Sequence, residues 1–420
     1  MSPTQIKQGT MMIWIMAWRN IWRSPTRSGV VIAAIALGVW AALALTGFAT
    51  GMMKSYVKSA IEQSVSHIQI HEPGFTEDYE AKYTLPDVAI VAQVLDTTVE
   101  VQAYSLRTVV SGMAASGQGA RGVMVKGVDP EQEAAVSTIP EGALTAGEFL
   151  PEMRGNAAFM GSALAQKLGL KERSKFVLTF QDEHLEITSA AFRVMGLFDS
   201  GNTPYDEATL YVRRSDLNRL LQGGPEGAGQ AHEAAVLLKD VGAADQVAGQ
   251  LRAVLPNLDV QTYREIAPDL ELYESQLQNV SLIYLAVILL ALVFGIINTM
   301  LMAVLERVRE LGMLMAIGMN RGRVFAMIVL ETLALGLLAA PAGLVLGYLT
   351  VSYVGKYGID MSGYSEGMAS YGLAQVIYFE VPLAAYWQMG AGVFVTAVLA
   401  SLYPAWKAIR LQPVEALRAV

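Results

Sequence analysis

Residues 281–323, SLIYLAVILLALVFGIINTMLMAVLERVRELGMLMAIGMNRGR, decide how this chain is organised. The first 25 of them, Ser281–Leu305, carry no charge. A helix of roughly 20 apolar residues crosses the hydrocarbon core of a bilayer, so this run predicts a membrane span. Residues 306–323, which follow, are basic at both ends and keep a helical spacing of apolar positions. An ordered helix between two spans is typical of a segment that contacts another molecule on its own side of the membrane.

Three further stretches have the length and composition of a membrane span. Ser28–Met53 and Val381–Trp406 are uncharged over 26 residues each, and Val324–Gly355 contains a single charge, Glu331. The whole chain has 53% hydrophobic and 16% charged residues, against about 25% charged residues in soluble domains. The sequence therefore predicts a membrane protein with four spans, at residues 28–53, 281–305, 324–353 and 383–406.

Lysine and arginine cluster at one set of span ends. They precede the first span, flank the segment between the second and third, and follow the fourth, as Arg19, Arg23, Arg27, Arg307, Arg309, Arg321, Arg323, Lys407, Arg410 and Arg418. The connection at residues 354–382 has only Lys356 against three acidic residues. By the positive-inside rule the basic side faces the cytoplasm. Residues 1–27, 306–323 and 407–420 are therefore predicted inside, and residues 54–279 and 354–382 outside.

Residues 54–279, between the first two spans, differ in composition from the rest of the chain. They hold 18 Lys and Arg against 31 Asp and Glu, a net charge of −13, while the remainder is at +5. An acidic balance of this kind argues against nucleic-acid binding. Alternating and helical patterns predict a folded α+β extracytoplasmic domain. Its predicted strands are 66–70, 98–104, 122–126, 175–180, 192–197, 209–212 and 236–238, and its predicted helices are 161–168, 214–221 and 241–255.

The segment MMIWIMAWRNIWRS, within residues 1–27, has tryptophans on one helical stripe and arginines toward another face. This pattern favours a helix that lies in the membrane surface, and a partner-binding helix is the alternative.

Polar and small residues also occur inside the predicted spans. Glu331 lies near the cytoplasmic end of the third span, where an ionisable side chain is costly and commonly functional. We predict a structural or coupling role for it, with the carboxylate either hydrated or beside a polar partner such as Asn298. Glycines four residues apart predict close helix contacts, as Gly47 with Gly51 and Gly343 with Gly347.

Several kinds of chemistry have no support in the sequence. A GxxxxGK[ST] loop is absent, so we expect the chain to bind no ATP and to catalyse no ATP hydrolysis itself. The absence of cysteine excludes disulfides and thiolate sites. His67 and His71 share one face of a predicted strand, but no further ligand cluster accompanies them, so no metal site is predicted.

Several segments resemble one family of membrane proteins. AWRNIWRSPTR, NTMLMAVLERVRELGMLMAIGMNRGRVF and YPAWKAIRLQPVEAL are similar to the four-span permeases of the MacB, Lol and FtsX superfamily of ABC transporters. GVDPEQEAAVS, GSALAQKLGL and FRVMGLFDSGNTPYDEATLYV look like the lipoprotein-releasing Lol permeases, of the LolC and LolE kind. The resemblance covers nearly the whole chain in order. One departure is Met315, where the family usually has a basic residue.

The resemblance implies an α-helical membrane protein with four transmembrane helices and a large MacB-like α+β periplasmic domain inserted between helices 1 and 2. It also implies that residues 306–323 form a coupling helix. This helix would dock on a separate cytoplasmic ABC ATPase, present in two copies, which binds ATP and magnesium. The implied contact residues are Glu306, Arg307, Arg309, Glu310, Leu311, Gly312, Leu314, Ile317 and Gly318.

The same resemblance implies a permease subunit of the bacterial inner membrane that transmits ATPase motion to the periplasmic domain and releases lipoproteins. It would work with a second permease copy or a paralogue, and with a periplasmic lipoprotein carrier or adaptor, among membrane lipids. The lipoprotein would enter a cavity lined by Val39, Leu43, Gly47, Met53, Leu282, Leu290 and Phe294. The alternatives are MacB-like export of peptides or small molecules from the periplasm and FtsX-like signalling to a cell-wall hydrolase.

Overall fold

The computed structural model describes residues 14–153, 155–222, 229–373 and 376–410. Two compact units make up the chain: Met1–Met52, Ser275–Ile359 and Ile377–Val420 form one, and Met53–Glu274 and Asp360–Val376 form the other. Parts of the predicted surface helix at 1–27 and of the tail at 407–420, including Arg418, lie outside the described residues.

The helices range from single turns to more than 35 residues. In chain order they are α1 (residues 14–23), α2 (Pro25–Ala60), α3 (Phe75–Asp78), α4 (Val88–Thr97), α5 (Pro130–Val136), α6 (Ile139–Gly142), α7 (Ser162–Lys167), α8 (Thr203–Ala208), α9 (Arg214–Leu221), α10 (Ala244–Val254), α11 (Tyr263–Ile266), α12 (Pro268–Glu306), α13 (Val308–Ala316), α14 (Arg321–Tyr357), α15 (Ser365–Ala369) and α16 (Leu383–Ile409). A π-helical turn, Ile61–Val65, continues α2. Short 3-10 turns occur at Val241–Ala243 and Ser362–Tyr364.

The strands belong to one large sheet and one small one. In chain order they are β1 (Ile68–His71), β2 (Val101–Ser116), β3 (Gly119–Val128), β4 (Leu144–Gly147), β5 (Asn156–Gly161), β6 (Lys175–Gln181), β7 (Ile187–Phe198), β8 (Thr209–Arg213), β9 (Glu233–Leu238), β10 (Asp259–Thr262), β11 (Ile359–Asp360) and β12 (Val376–Ile377). β11 and β12 form the small sheet.

Four helices of the first unit, α2, α12, α14 and α16, are long and apolar enough to cross a membrane. Each extends beyond the span that the sequence predicts, so that α2 begins at Pro25 and α14 ends at Tyr357. A helix satisfies its own backbone hydrogen bonds in water and in lipid alike, so it need not end where the apolar run ends.

Glycine brings α2 and α14 into close contact. A Cβ on Gly343 would lie 2.7 Å from the carbonyl oxygen of Ala36, and a Cβ on Gly347 would collide with Leu43. In the same interface Trp40 Nε1 donates to Thr350 Oγ1 at 2.9 Å. The predicted small-residue face of α14 is thus confirmed, because only residues without a Cβ permit this approach.

The second unit is built on a ten-stranded sheet in the order β10-β1-β9-β2-β3-β8-β5-β7-β4, with β6 paired to β2 and β7. The long strand β2 runs through both halves of this sheet. Its first part, Val101–Arg107, pairs with β9, and its second part, Thr108–Ser116, pairs with β3. Separate apolar cores lie on the two halves.

Several elements of this unit were not predicted from the sequence, among them β5 and α4. β5 is buried along nearly its whole length, so it lacks the alternation of apolar and polar residues that marks a half-exposed strand. α4 does carry a start signal, because the Asp87 carboxylate accepts hydrogen bonds from the backbone of Ala89 and Ile90.

Candidate functional site

The helix α13 is short and sharply bounded. It follows Arg307 and covers nine residues of the predicted segment 306–323. Gly318, with φ at 102°, ends it in the left-handed region. The Met319 amide donates to the carbonyl of Leu314 at 3.0 Å, and the Gly318 amide donates to that of Met315 at 3.1 Å. These two bonds form a Schellman motif, which fixes the direction in which the chain leaves α13.

One face of α13 packs against the helix bundle and the other is open. Leu311 is 4% exposed and belongs to the bundle core, and Leu314 packs against that core. On the open face, Met313 is 48% exposed and Ile317 is 79% exposed. Arg309 is also exposed, so a basic residue and two large apolar residues follow one another at a spacing of four along this face.

Ion pairs hold α13 and its neighbours together. In α1, Arg23 donates from Nη1 and Nη2 to the two oxygens of the Glu310 carboxylate, at 2.8 and 2.5 Å. Arg307 Nη1 donates to Glu331 Oε1 in α14 at 3.1 Å. Asn20 Nδ2 donates to the other oxygen of Glu331 at 3.4 Å. The helices α1, α12, α13 and α14 are therefore linked at the same end of the bundle.

A cavity of about 200 Å³ lies among these four helices. Its polar lining comprises Asn20, Arg23, Arg307, Glu310 and Glu331, and its apolar lining includes Met16, Met300, Leu311, Leu314 and Met327. The cavity leaves space on the inner side of α13 that is not filled by side chains.

The structure divides the predicted coupling residues into two groups. Glu310 and Arg307 bind other residues of the chain, and Leu311, Gly312 and Leu314 face the bundle. The predicted residues that are exposed are Glu306, Arg309, Ile317 and Gly318. Met313, which was not among the predicted residues, is also exposed. Ile317 therefore does not share a surface with Leu311 and Leu314, because it is exposed whereas they face the bundle.

The residues predicted to line a substrate cavity also fall into a buried group and an exposed group. Val39 and Leu43 are fully buried against the glycine face of α14, and Gly47 packs on Phe379 and Val381. Met53 is half-buried beside the core of the second unit. In contrast, three residues of α12 are more than half exposed: Leu282, Leu290 and Phe294. Val39 and Leu43 thus face the bundle, because glycines draw the first span into it, whereas the residues of α12 are exposed.

Glu331 has partners other than the one predicted. Asn298 is exposed on α12, whereas the Glu331 carboxylate binds Arg307 and Asn20. The side chains of Arg307 and Glu331 are only 15% and 10% exposed. No pattern in the sequence marks this pair, because it depends on how α14 packs against the end of α12.

The second unit, here called the outer unit, contains a buried charge network. Arg107 binds Glu133 through two nitrogens, both at 2.8 Å, and binds Glu233 through the third, also at 2.8 Å. The Ser105 hydroxyl donates to Glu133 at 2.8 Å, and His71 Nε2 lies 3.5 Å from Glu233. Burial opposes ionisation of Glu233, but the nearby His71 and the charge of Arg107 outweigh it and lower its pKa to about 2. The network ties β1, β2, β9 and α5 together in the domain interior.

The histidines of the predicted strand have separate partners. The amide of Leu238 donates to His67 Nδ1 at 2.8 Å, and burial lowers the pKa of His67. Within the described ranges, no group of three or more His, Asp or Glu residues could hold a metal ion.

A second cavity, of about 460 Å³, opens on the outer unit beside Gln63, Thr145 and Ser200. Asp206 lies next to Ser200 and is 3% exposed. Its carboxylate accepts from the Ser200 amide at 3.1 Å and from the Ser200 hydroxyl at 2.5 Å. Burial raises the pKa of Asp206 to about 7, although the hydrogen bonds from Ser200 oppose the shift.

Comparison with known families covers both units. The family described as MacB-like periplasmic core domain matches residues 28–254, and the family described as FtsX-like permease C-terminal matches residues 282–413. The first match spans more than half of the chain, and the second includes α13 and its flanking spans.

Individual relatives agree with these matches. The lipoprotein-releasing system transmembrane protein LolC of Xylella fastidiosa is 24% identical over 410 residues, 92% of each chain. An uncharacterised ABC transporter permease of Methanocaldococcus jannaschii, MJ1507, is 26% identical over 248 residues, 56% of each chain. The macrolide export ATP-binding/permease protein MacB of Nitrosomonas europaea is 27% identical over 254 residues, 56% of this chain and 34% of that relative.

The matches and the four long apolar helices lead to the same conclusion. The chain is a membrane protein with a large periplasmic domain, and it belongs to the ABC transporter permeases of the MacB, Lol and FtsX superfamily.

Proposed function

We propose that this chain is the permease subunit of an ATP-driven transporter in the bacterial inner membrane. Both termini lie in the cytoplasm, and the periplasmic domain is inserted between the first two spans. The observation that carries the proposal is the open face of α13, where Arg309, Met313 and Ile317 are exposed on a helix of fixed direction. A separate cytoplasmic ATPase, in two copies, docks on this face and binds the ATP and magnesium.

The contacts around α13 give its movement a route into the membrane helices. A push on the open face passes through the Arg23–Glu310 pair to α1 and through Leu311 to the bundle core. The Arg307–Glu331 pair carries it to α14. The unfilled cavity behind α13 gives the helix room to shift without the cost of overpacking.

The cargo that we propose is a lipoprotein, released from the inner membrane toward a periplasmic carrier. The support is the match to a lipoprotein-releasing LolC over 92% of both chains, which includes both units. The exposed apolar residues of α12, Leu282, Leu290 and Phe294, offer a surface on which acyl chains can lie. Export of peptides or small molecules is the second candidate, favoured by the similarity to MacB over 254 residues.

Purification of the full chain from its native membrane, followed by mass spectrometry of what accompanies it, tests both proposals. We expect an ABC ATPase together with acylated proteins. A periplasmic adaptor and an outer-membrane duct in place of acylated proteins would favour export. The absence of any ATPase would contradict the permease role itself.

The orientation of the chain in the membrane can be tested by cysteine labelling. The chain has no cysteine, so a single introduced cysteine is the only one that a maleimide can label. Ile317→Cys, on the α13 side, and Leu185→Cys, 52% exposed in the outer unit, form a matched pair. In spheroplasts, a membrane-impermeant maleimide is expected to label Leu185→Cys and to spare Ile317→Cys until the membrane is opened. The reverse pattern would contradict the orientation.

A further inference from the structure

The helix α1, at residues 14–23, carries three stripes of side chains along its length. One stripe is buried against the bundle, a second consists of exposed tryptophans, and a third consists of exposed arginines. Successive residues of an α-helix point about 100° apart, so the tryptophan stripe lies between the bundle and the arginines. In that order the stripes are Ala17 with Ile21, Trp14 with Trp18 and Trp22, and Arg19 with Arg23.

The connection to the first span places α1 at the membrane surface. Only Ser24 separates α1 from α2, which begins at Pro25. The Ser28 hydroxyl donates to the carbonyl of Ile21 at 2.8 Å, and the Ser28 amide donates to that of Ser24 at 3.1 Å. These two bonds hold the corner between the helices. Because the apolar run of the span begins at this corner, α1 lies at the level of the lipid headgroups.

The tryptophan stripe identifies the kind of surface that α1 contacts. Trp14, Trp18 and Trp22 are all exposed. The rings of Trp18 and Trp22 meet edge to face, with their centroids 6.3 Å apart, so they form a continuous apolar surface. Tryptophan is enriched at membrane–water interfaces, where its ring lies among the headgroups. Lipid would cover this stripe, whereas a free phosphate ion would leave it in water.

The arginine stripe contains an ion pair that is open to exchange. Arg23 binds the Glu310 carboxylate through Nη1 and Nη2, yet the two side chains are 60% and 43% exposed. An ion pair in contact with water contributes little to stability. The Arg307–Glu331 pair differs, because both of its side chains are largely buried. Arg23 can therefore change its partner at little cost, whereas Arg307 cannot.

Both members of the exposed pair have an alternative to each other. A guanidinium presents a planar set of N–H donors that fits a phosphate as well as it fits a carboxylate. Glu310 lies in the first turn of α13, where the helix N-terminus favours a negative charge, and water reaches its carboxylate. A lipid phosphate can thus take the place of Glu310 beside Arg23 without leaving a buried charge.

We propose that anionic phospholipids of the cytoplasmic leaflet bind Arg19 and Arg23 beside the tryptophan stripe, and that Arg23 exchanges the Glu310 carboxylate for a lipid phosphate. The exchange releases α13 from α1, while Leu311 keeps its place in the bundle core. This inference rests on the proposed function, in which the basic side of the chain faces the cytoplasm. It names a lipid class that controls one route by which α13 moves the bundle.

Native mass spectrometry of the purified full chain in detergent tests the lipid class. The chain is titrated with phosphatidylglycerol or with phosphatidylcholine, and the apparent Kd of each is measured. We expect phosphatidylglycerol to bind more tightly. The double variant Arg19→Gln with Arg23→Gln should lose about fivefold in phosphatidylglycerol affinity for each arginine and keep its affinity for phosphatidylcholine.

A second double variant controls for the change in net charge. Arg121→Gln with Arg173→Gln removes two exposed arginines from the outer unit and should bind both lipids like the parent chain. An equal loss of phosphatidylglycerol affinity in the two double variants would overturn the lipid site. Equal affinity of the parent chain for the two lipids would overturn it as well.

The exchange at Arg23 is tested by a double-mutant cycle. Glu310→Gln removes the competing carboxylate, so phosphatidylglycerol should bind up to about fivefold more tightly, the range that corresponds to an exposed ion pair. In the Arg23→Gln background, Glu310→Gln should have no effect, because the side chain that changes partner is absent. An equal gain in both backgrounds would mean that Glu310 acts only through its charge, and it would overturn the exchange. No gain in the parent background would also overturn it.

The lipid site and the permease role fail in different ways. If an ATPase accompanies the chain but the loss of Arg19 and Arg23 leaves phosphatidylglycerol binding unchanged, the permease role stands and the lipid site is wrong. If the two arginines determine phosphatidylglycerol binding but no ATPase is found, the lipid site stands and the permease role is wrong.

Discussion

Arg307 Nη1 lies 3.1 Å from Glu331 Oε1, so the end of α12 is bonded directly to the first part of α14. Both side chains are largely buried, and Arg307 Nη2 also donates to the Asn20 carbonyl at 3.4 Å. Three helices thus meet at one ion pair on the side of the bundle where α13 lies. This arrangement explains why a carboxylate is retained within an otherwise uncharged span.

Removing one partner of this pair should destabilise the bundle. In Glu331→Gln the Arg307 guanidinium keeps its burial but loses its counter-charge, which costs about 3–5 kcal/mol for buried pairs. We expect a lower unfolding temperature for the purified full chain in detergent. Arg307→Met combined with Glu331→Leu should recover much of the loss, and Arg323→Gln, at an exposed position, should have no effect. An unchanged unfolding temperature in Glu331→Gln would mean that the pair contributes nothing.

The contact between α2 and α14 should be equally sensitive to substitution. The methyl group of Gly343→Ala would press on the Ala36 carbonyl and on Val39, and overpacking of this kind costs about 1–3 kcal/mol. Gly29→Ala is the matched control, since its Cβ would meet nothing within 4 Å. Thermal unfolding should separate the two variants, with only Gly343→Ala lowered. Equal stabilities would show that the helices do not approach as closely as the structure indicates.

The buried network of the outer unit makes stability depend on acid. The pKa of Glu233 is lowered from 4.5 to about 2 in the folded state, so the unfolded chain binds a proton more readily. The stabilisation is complete above pH 4.5 and is lost as the pH falls toward 2. Unfolding of the full chain, followed by circular dichroism, should show this loss, and Glu233→Gln should reduce it. The same acid dependence in Glu233→Gln would contradict the assignment.

Asp206 should make stability depend on pH in the opposite direction to Glu233. Its pKa is raised from 3.8 to about 7, so the folded state holds the proton more tightly than the unfolded chain does. Its contribution to stability therefore falls as the pH rises from 3.8 to about 7 and is constant above. Asp206→Asn keeps an acceptor for Ser200 without the charge, and it should be more stable than the parent chain at pH 8. A less stable variant at that pH would contradict a burial penalty on the carboxylate.

The local features of the fold could be predicted from the sequence because their signals are local. A charge-free run marks each long helix, and Gly318 marks the end of α13 through its left-handed backbone. The strands with alternating residues, such as β6, were predicted for the same reason.

The contacts of the candidate site could not be predicted, since they join distant residues. Arg23 and Glu310 are 287 positions apart, and either could as well have faced a partner protein. The family resemblance placed Leu311 on the docking surface. Helical spacing shows which residues share a face. It does not show which face turns toward the bundle. Packing decides that question, and here it turns Leu311 inward and leaves Met313 outside.

A single substitution on the open face of α13 tests whether a separate ATPase docks there, as we propose. Ile317→Asp places a charge at a position that is 79% exposed, where it should not disturb folding. Val99→Asp, at a position 75% exposed in the outer unit, is the control. The measurement is ATP hydrolysis by the full chain purified with its associated subunits. We expect hydrolysis to be lost in Ile317→Asp and kept in Val99→Asp, at unchanged unfolding temperatures. Equal hydrolysis in Ile317→Asp and the parent chain would contradict it.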